Sequence, residues 1–179
     1  MTMSKLKVGR MMLTEEEIQQ QVAKLAEQIN QDYPEGELIV VGILKGCFVF
    51  VSDLVRKLNA DVKVHFMQVS SYGDGTVSTG KIQIKKDLEV DIEGKHLLLA
   101  EDIIDSGHTL SQLLPILQER KPASIKVCTL LSKPSRRQVE FEADYTGFEI
   151  PDEFIVGYGL DCGESFRQLP YIAVVDIEE

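Results

Sequence analysis

A chain of 179 residues, 44% apolar and 27% charged, is long enough to bury a core and too hydrophobic for wholesale disorder. Its formal charge of −10 weighs against non-specific binding to nucleic acid or to an anionic membrane surface. No apolar run approaches a bilayer span, and no basic segment followed by an apolar one opens the chain, so neither insertion nor secretion is expected.

Thr14 followed by Glu15, Glu16 and Glu17 reads as a capping box that opens a helix. Ile18, Val22, Leu25, Ala26 and Ile29 then recur at helical spacing, and Pro34-Glu35-Gly36 ends the element. The run 38–44 is a buried strand, and a helix follows over about 48–58. The alternation in 62–69 predicts a strand, and 97–100 is a short apolar one. A helix over 109–119 contains Pro115, which should cost a hydrogen bond and kink it. Strands at 125–131, 154–158 and 172–177 complete the pattern. Strands alternating with helices imply an α/β fold with a largely parallel sheet in a single domain, 1–179. Ligands of such sheets sit beyond the carboxyl ends of the strands, so the residues after each run carry the chemistry.

The strongest of these is Leu97-Leu98-Leu99-Ala100-Glu101-Asp102-Ile103-Ile104-Asp105-Ser106-Gly107-His108-Thr109-Leu110. An apolar strand meets two adjacent carboxylates, a third, and a small polar turn that opens a helix. Helix N-terminal amides with Ser and Thr hydroxyls and a permissive glycine form an anion cradle suited to phosphate. Carboxylates beside such a cradle would repel a bare phosphate. They make sense if they hold a divalent cation or the hydroxyls of a sugar that carries the phosphate.

That string resembles the phosphoribosyl-diphosphate signature of type I phosphoribosyltransferases, departing from it at Ala100 and Ser106. Leu44-Lys45-Gly46 is similar to the diphosphate loop of the hypoxanthine-guanine members of that family. Lys133 falls where those members have a base-contacting lysine. Gly147-Phe148-Glu149-Ile150-Pro151-Asp152 with Phe154 to Asp161, followed by Phe166-Arg167, resembles their purine-binding segment. The resemblance runs over about 38–167 and implies a central sheet flanked by helices, with a small hood subdomain over the active site.

It further implies purine salvage: transfer of the 5-phosphoribosyl group from phosphoribosyl diphosphate to hypoxanthine or guanine, giving IMP or GMP and diphosphate. Asp105 would be catalytic, moving a proton near purine N7. Glu101 and Asp102 would bind the ribose hydroxyls and Mg²⁺, and Asp161 would join a second Mg²⁺ site. Ser106, Gly107, His108 and Thr109 would hold the 5′-phosphate, and Lys45, Gly46 and Arg167 the diphosphate. Lys133 would meet the purine oxygen, Phe154 would stack on the ring, and Ile155 would offer backbone groups to its edge. Ser71 and Tyr72 would belong to a lid over 71–80. The resemblance also suggests a homodimer or homotetramer, with no nucleic-acid or membrane partner.

Other signals are weaker. Cys47, Cys128 and Cys162 are odd in number without CxxC spacing, which fits free thiols in the cytoplasm. Cys47 lies beside the diphosphate loop without an evident base, so a catalytic thiol is not expected. His65, His96 and His108 show no metal spacing and read as surface or loop residues. Neither GxGxxG after a strand nor GxxxxGK[ST] occurs. A relative acting on xanthine is the nearest rival enzyme. A regulator that senses phosphoribosyl diphosphate and binds nucleic acid is disfavoured by the acidic balance.

Overall fold

The computed structural model describes residues 6–71 and 81–177. Along the chain run β1 (Leu6–Leu13), α1 (Glu15–Asp32), β2 (Glu37–Leu44), α2 (Phe48–Val55), β3 (Asp61–Ser71), β4 (Ile82–Lys86) and β5 (His96–Ile104). There follow α3 (His108–Gln118), β6 (Ser124–Ser132), β7 (Tyr145–Glu149), β8 (Ile155–Val156) and β9 (Ile172–Ile177). No helix among the described residues is long and apolar enough to cross a membrane.

The central sheet has the order β4-β3-β2-β5-β6-β7; all its strands are parallel except β4, which pairs antiparallel at one edge. Strands covered on both faces must be apolar on both, and β2 is buried from Leu38 to Ile43. Successive side chains point to opposite faces. Leu38 and Val40, with Leu98 and Ala100 of β5, join one core with Ile18, Val22 and Leu25 of α1 and Phe50 and Leu54 of α2. Ile39 and Val41, with Leu97 and Leu99, join another with Leu110, Leu113 and Leu117 of α3. Each large side chain so buried contributes roughly 1.5–3 kcal/mol.

Local chemistry sets the helix ends. The Thr14 hydroxyl accepts from the Glu17 N–H at 3.2 Å and the Glu17 carboxylate accepts from the Thr14 N–H at 2.8 Å, the reciprocal capping box. Helix α3 runs unbroken past Pro115. That proline is exposed, while Leu110, Leu113 and Leu117 anchor the opposite stripe.

The second sheet, β1-β9-β8, is small and antiparallel. It is the hood. The segment leading into β8 reaches the central sheet where Lys133 Nζ donates to the Glu153 carbonyl at 2.9 Å, and Arg10 of β1 pairs with the Glu153 carboxylate at 2.6 Å. Ile155, Tyr158 and Ile172 enter the same core as α1 and α2.

The structure departs from the expected elements in several places. Strand β5 does not stop at Ala100 but continues to Ile104, because β6 runs on beside it and pairs Glu101 with Thr129 and Ile103 with Leu131. The strand expected over 154–158 shrinks to Ile155–Val156, since Gly157 and Tyr158 take positive φ. It and the strand at 172–177 belong to the hood, not to the parallel sheet. Helix α2 ends at Val55. Strands β1, β4 and β7 lie outside the expected pattern. Their sequences lack a long apolar period, and sheet pairing alone recruits them. His65 lies within β3, His96 opens β5 and His108 opens α3.

Candidate active site

Glu101 and Asp102 lie near the carboxyl end of β5 rather than in the loop after it. Glu101 is buried, and burial followed by the neighbouring Asp102 charge raises its carboxyl well above the usual range. Burial likewise raises Asp102 to about 6, against the N–H of Ile103, which donates to its Oδ1 at 2.8 Å. Two adjacent carboxylates in so dry a place are costly unless a cation or hydroxyl donors meet them.

The turn that follows is built on Gly107, which sits at φ 84° as the N-cap of α3. A Cβ there would lie 3.0 Å from the Val139 side chain in a left-handed backbone, so glycine is required. A cavity of about 280 Å³ opens at this helix end, lined by Glu101, Ile104, Asp105, Ser106, Gly107 and Thr109. The first N–H groups of α3 have no carbonyl partner within the helix and carry its positive end, which makes this an anion seat.

Asp105 is exposed on the rim of that cavity, with Oδ1 3.8 Å from Lys133 Nζ. Lys133 is only 7% exposed, rare for a lysine. Its ammonium also lies 3.6 Å from Asp152 Oδ1 and donates to the Glu153 carbonyl. The expected base-reading lysine is therefore a buried cation between the turn and the hood.

Phe154, next along, is 58% exposed, so its ring is not part of the core. The Val175 N–H donates to the Phe154 carbonyl at 2.9 Å, which makes Ile155 and Val174 a non-hydrogen-bonded pair. Strand β8 is the outer strand of its sheet, and the Ile155 N–H and C=O therefore turn to its free edge.

Gly46 packs so closely that a Cβ there would come 1.7 Å from Asp102 Oδ2, and a Cβ on Gly159 would come 2.1 Å from the Gly46 carbonyl. The Leu44–Lys45 peptide just before it is cis. Lys45 Nζ pairs with Glu164 Oε2 at 2.5 Å, and Arg167 pairs with Glu164 Oε1 at 3.0 Å and Asp161 Oδ1 at 3.1 Å. Arg167 also donates to the Gly159 carbonyl at 2.9 Å. It lines a second cavity of about 590 Å³ with Phe48, Asp53 and Tyr158, not the cavity at α3. The larger hollow lies at the starts of α1 and α2, away from the strand-end carboxylates Glu101 and Asp102 and from the turn before α3.

The structure thus gathers Glu101, Asp102, Asp105, Ser106, Gly107, His108 and Thr109 at one strand end and sets Lys133, Phe154 and Ile155 beside them. Lys45, Gly46, Asp161 and Arg167 form an adjoining charged arm. Ser71 ends β3, paired with Ile82 of β4. Tyr72 and the rest of the expected lid lie outside the described residues. Cys47 is buried, and burial, then the Glu101 and Asp102 charges, push its thiol up, which agrees with an inert role. Glu164 and Arg137 join the site without a signal in the sequence, and Asp152, within the purine-like segment, gains its partner Lys133 only in the fold. A lone Glu in a polar loop and an Arg in a basic run carry no meaning until the fold brings partners to them.

A doubly covered parallel sheet with a phosphate-suited turn at β5 and a hood across it defines a sugar-phosphate transferase architecture. The family model described as "Phosphoribosyl transferase domain" matches residues 10–162, and the chain belongs to that family. Among curated relatives, the hypoxanthine phosphoribosyltransferase of Haemophilus influenzae is 48% identical over 94% of this chain and 96% of the relative. The hypoxanthine-guanine phosphoribosyltransferase of Bacillus subtilis is 46% identical over 97% and 96%. A crystal structure of a hypoxanthine-guanine phosphoribosyltransferase from Bacillus anthracis superposes with a TM-score of 0.90, at 45% identity, covering 96% of this chain and all of that one.

Proposed function

We propose that the chain is a purine-salvage enzyme that transfers the 5-phosphoribosyl group of phosphoribosyl diphosphate to N9 of hypoxanthine or guanine, yielding IMP or GMP and diphosphate. The observation that carries the reading is the buried Lys133 ammonium, 3.8 Å from Asp105 on the rim of the helix-end cavity. A cation there complements the oxygen at purine position 6, since lysine has donors and no acceptor. The exposed face of Phe154 stacks on the ring, and the free-edge backbone of Ile155 meets its side.

The cavity at α3 seats the 5′-phosphate on the turn from Ser106 to Thr109. Glu101 and Asp102 then lie where ribose hydroxyls would be. Asp105 sits between phosphate and base, placed to hold or accept the proton at N7 as N9 attacks the anomeric carbon. Bond breaking that runs ahead of bond making leaves an oxocarbenium-like centre, which must be screened from water. Ser71, Tyr72 and the rest of 71–80 are assigned that role as a lid. Lys45 and Arg167, with Gly46 giving room for a close backbone approach, take the departing diphosphate once Glu164 yields them.

The donor set fits Mg²⁺. Among the described residues no three His, Cys, Asp or Glu side chains form a protein-only metal centre. Glu101 and Asp102 would hold one cation and Asp161 would join a second site, each hard oxygen ligand leaving room for substrate oxygens and water. Such an ion supplies positive charge at the diphosphate. We assign the enzyme to the cytoplasm and expect a homodimer or homotetramer.

The test is direct. Purified protein with Mg²⁺ and phosphoribosyl diphosphate should convert hypoxanthine and guanine to nucleotides, followed by absorbance, with little conversion of adenine. Absence of nucleotide from any purine would overturn the reading. Conversion of xanthine ahead of both would move it to the nearest rival.

A further inference from the structure

Arg137 lies outside every motif read from the sequence, yet it grips the phosphate turn from below. Its Nη1 donates to the carbonyl of Ile104 at 3.2 Å and to the carbonyl of Asp105. Its Nη2 donates to the Ser132 hydroxyl at 2.8 Å, one residue before Lys133. Its Nε is buried without a hydrogen-bond partner. Its Cδ lies 3.2 Å from where a Gly107 Cβ would stand, so the stem packs against the glycine of the turn. The next two residues continue the grip. Gln138 N–H donates to the Ser106 carbonyl at 3.0 Å and Val139 N–H to the same oxygen at 3.4 Å. The Gln138 side-chain oxygen lies 3.0 Å from His108 Nε2.

Three consecutive carbonyls, at 104, 105 and 106, are therefore held by the segment 137–139. In a planar trans peptide the C=O of one residue and the N–H of the next point in opposite directions. Pinning those three oxygens turns the N–H groups of Asp105, Ser106 and Gly107 away from the segment 137–139, and these three residues line the cavity. A run of N–H groups facing one way is an anion nest.

We infer that Arg137 is a positioning residue for the reaction: it fixes the orientation of the phosphate-binding amides and of Asp105 without touching substrate. The inference rests on the proposed reading of the cavity as the 5′-phosphate site. A guanidinium is needed because one rigid fork spans the Ile104 and Asp105 carbonyls and the Ser132 hydroxyl, and a lysine ammonium on a flexible stem is a point donor. The orphaned Nε agrees with a side chain held by its terminal nitrogens.

The full-length protein carrying Arg137→Ala or Arg137→Lys tests this. The Ala variant should raise KM for phosphoribosyl diphosphate by about tenfold or more, the size expected when hydrogen bonds from a charged donor are lost. KM for hypoxanthine should move by less than about threefold, because none of the acceptors touches the base. Added guanidinium should restore part of the loss, and Lys should fall between wild type and Ala. Without any ligand, amide hydrogen exchange at 105–109 should be faster in the variant. Unchanged exchange there, or an unchanged KM for phosphoribosyl diphosphate in an active enzyme, overturns the inference. So does an equal rise in both KM values that tracks a lowered Tm and ignores guanidinium, which would mark a merely structural role. If the wild type makes no nucleotide, the functional reading fails, and the ligand-free exchange still decides for or against Arg137. If the Ala variant does not fold, the Lys variant, which keeps the stem, decides the matter by the same two readouts.

Discussion

The cradle at the end of β5 and the arm carrying Asp161, Glu164 and Arg167 hold charge in opposite ways. The cradle is made of backbone. Its amides are aimed by the start of α3 and by Gly107 at φ 84°, and its carboxylates sit on a strand paired with β6. The arm is made of side chains on turns, where Glu164 bridges Lys45 and Arg167 from an exposed position at φ 68°. Backbone fixed by a sheet and a helix is organised before a ligand arrives, whereas exposed ion pairs are worth about 0–1 kcal/mol and exchange partners readily. The cradle is thus organised in advance, and the cations of the arm are held by replaceable contacts. Lys133 joins the cradle to the hood, bonded to the hood through Glu153 and facing Asp105 of the cradle.

Breaking that joint should give the largest effect. A site built around a hydrogen bond rejects the mismatched analogue by up to about 10⁴–10⁵, because buried polar groups are left unpaired. The wild type should favour hypoxanthine over adenine on that scale, and Lys133→Met should lose most activity with 6-oxopurines while narrowing the gap. An unchanged hypoxanthine-to-adenine ratio in kcat/KM for the variant would acquit Lys133. Asp105→Asn tests the cradle's chemistry with its shape kept. General acid–base help is worth about 10²–10⁴-fold, so kcat should fall by more than about tenfold with little change in KM for phosphoribosyl diphosphate. A variant with wild-type kcat across pH removes Asp105 from the catalytic role.

A smaller effect tests how dry the cradle is. Asp102 is raised from 3.8 to about 6 chiefly by burial, so the folded chain holds its proton more tightly than the unfolded one. Between those values the folded state binds more protons, and stability therefore falls as pH rises from about 4 to 6, by up to about 3 kcal/mol from this group. Urea unfolding of chelator-treated protein at the two ends of that window should show the fall, and Asp102→Asn should reduce it. A variant with the same slope as wild type would place the strain elsewhere. The smallest effect belongs to the arm. Bonds from Lys45, then Arg167, hold the Glu164 carboxyl below its usual range. Glu164→Gln should weaken both pairs, leave kcat nearly unchanged and strengthen product inhibition by diphosphate by a few-fold, about what an exposed pair is worth. Weaker inhibition would mean that Glu164 orders the arm instead of competing with the ligand.

The same contrast explains what is legible in the sequence. The cradle is contiguous, so Glu101, Asp102, Asp105 and the small turn declare themselves together, and the helix that follows starts within a residue of its expected position. The capping box at Thr14 and the doubly buried run of β2 are equally legible, because caps and hydrophobic period are local. The pairing of the hood is not. Strands over 154–158 and 172–177 are expected from the sequence, but 6–13 is not, and nothing local assigns the three to a sheet of their own. Their neighbours in space are distant in sequence. Arg137 escapes for the same reason: its meaning lies in the carbonyls of Ile104 and Asp105 that it faces.

By itself the sequence determined the alternation of strands and helices, the phosphate-suited turn at the end of β5 and the residue types at its site, since each rests on chemistry between near neighbours. Only the tertiary structure decided that β5 runs through both carboxylates, that Lys133 is buried between cradle and hood, and that Glu164 bridges Lys45 and Arg167. Those depend on pairing, burial and charge between segments far apart in the chain, which the folded packing alone brings within reach.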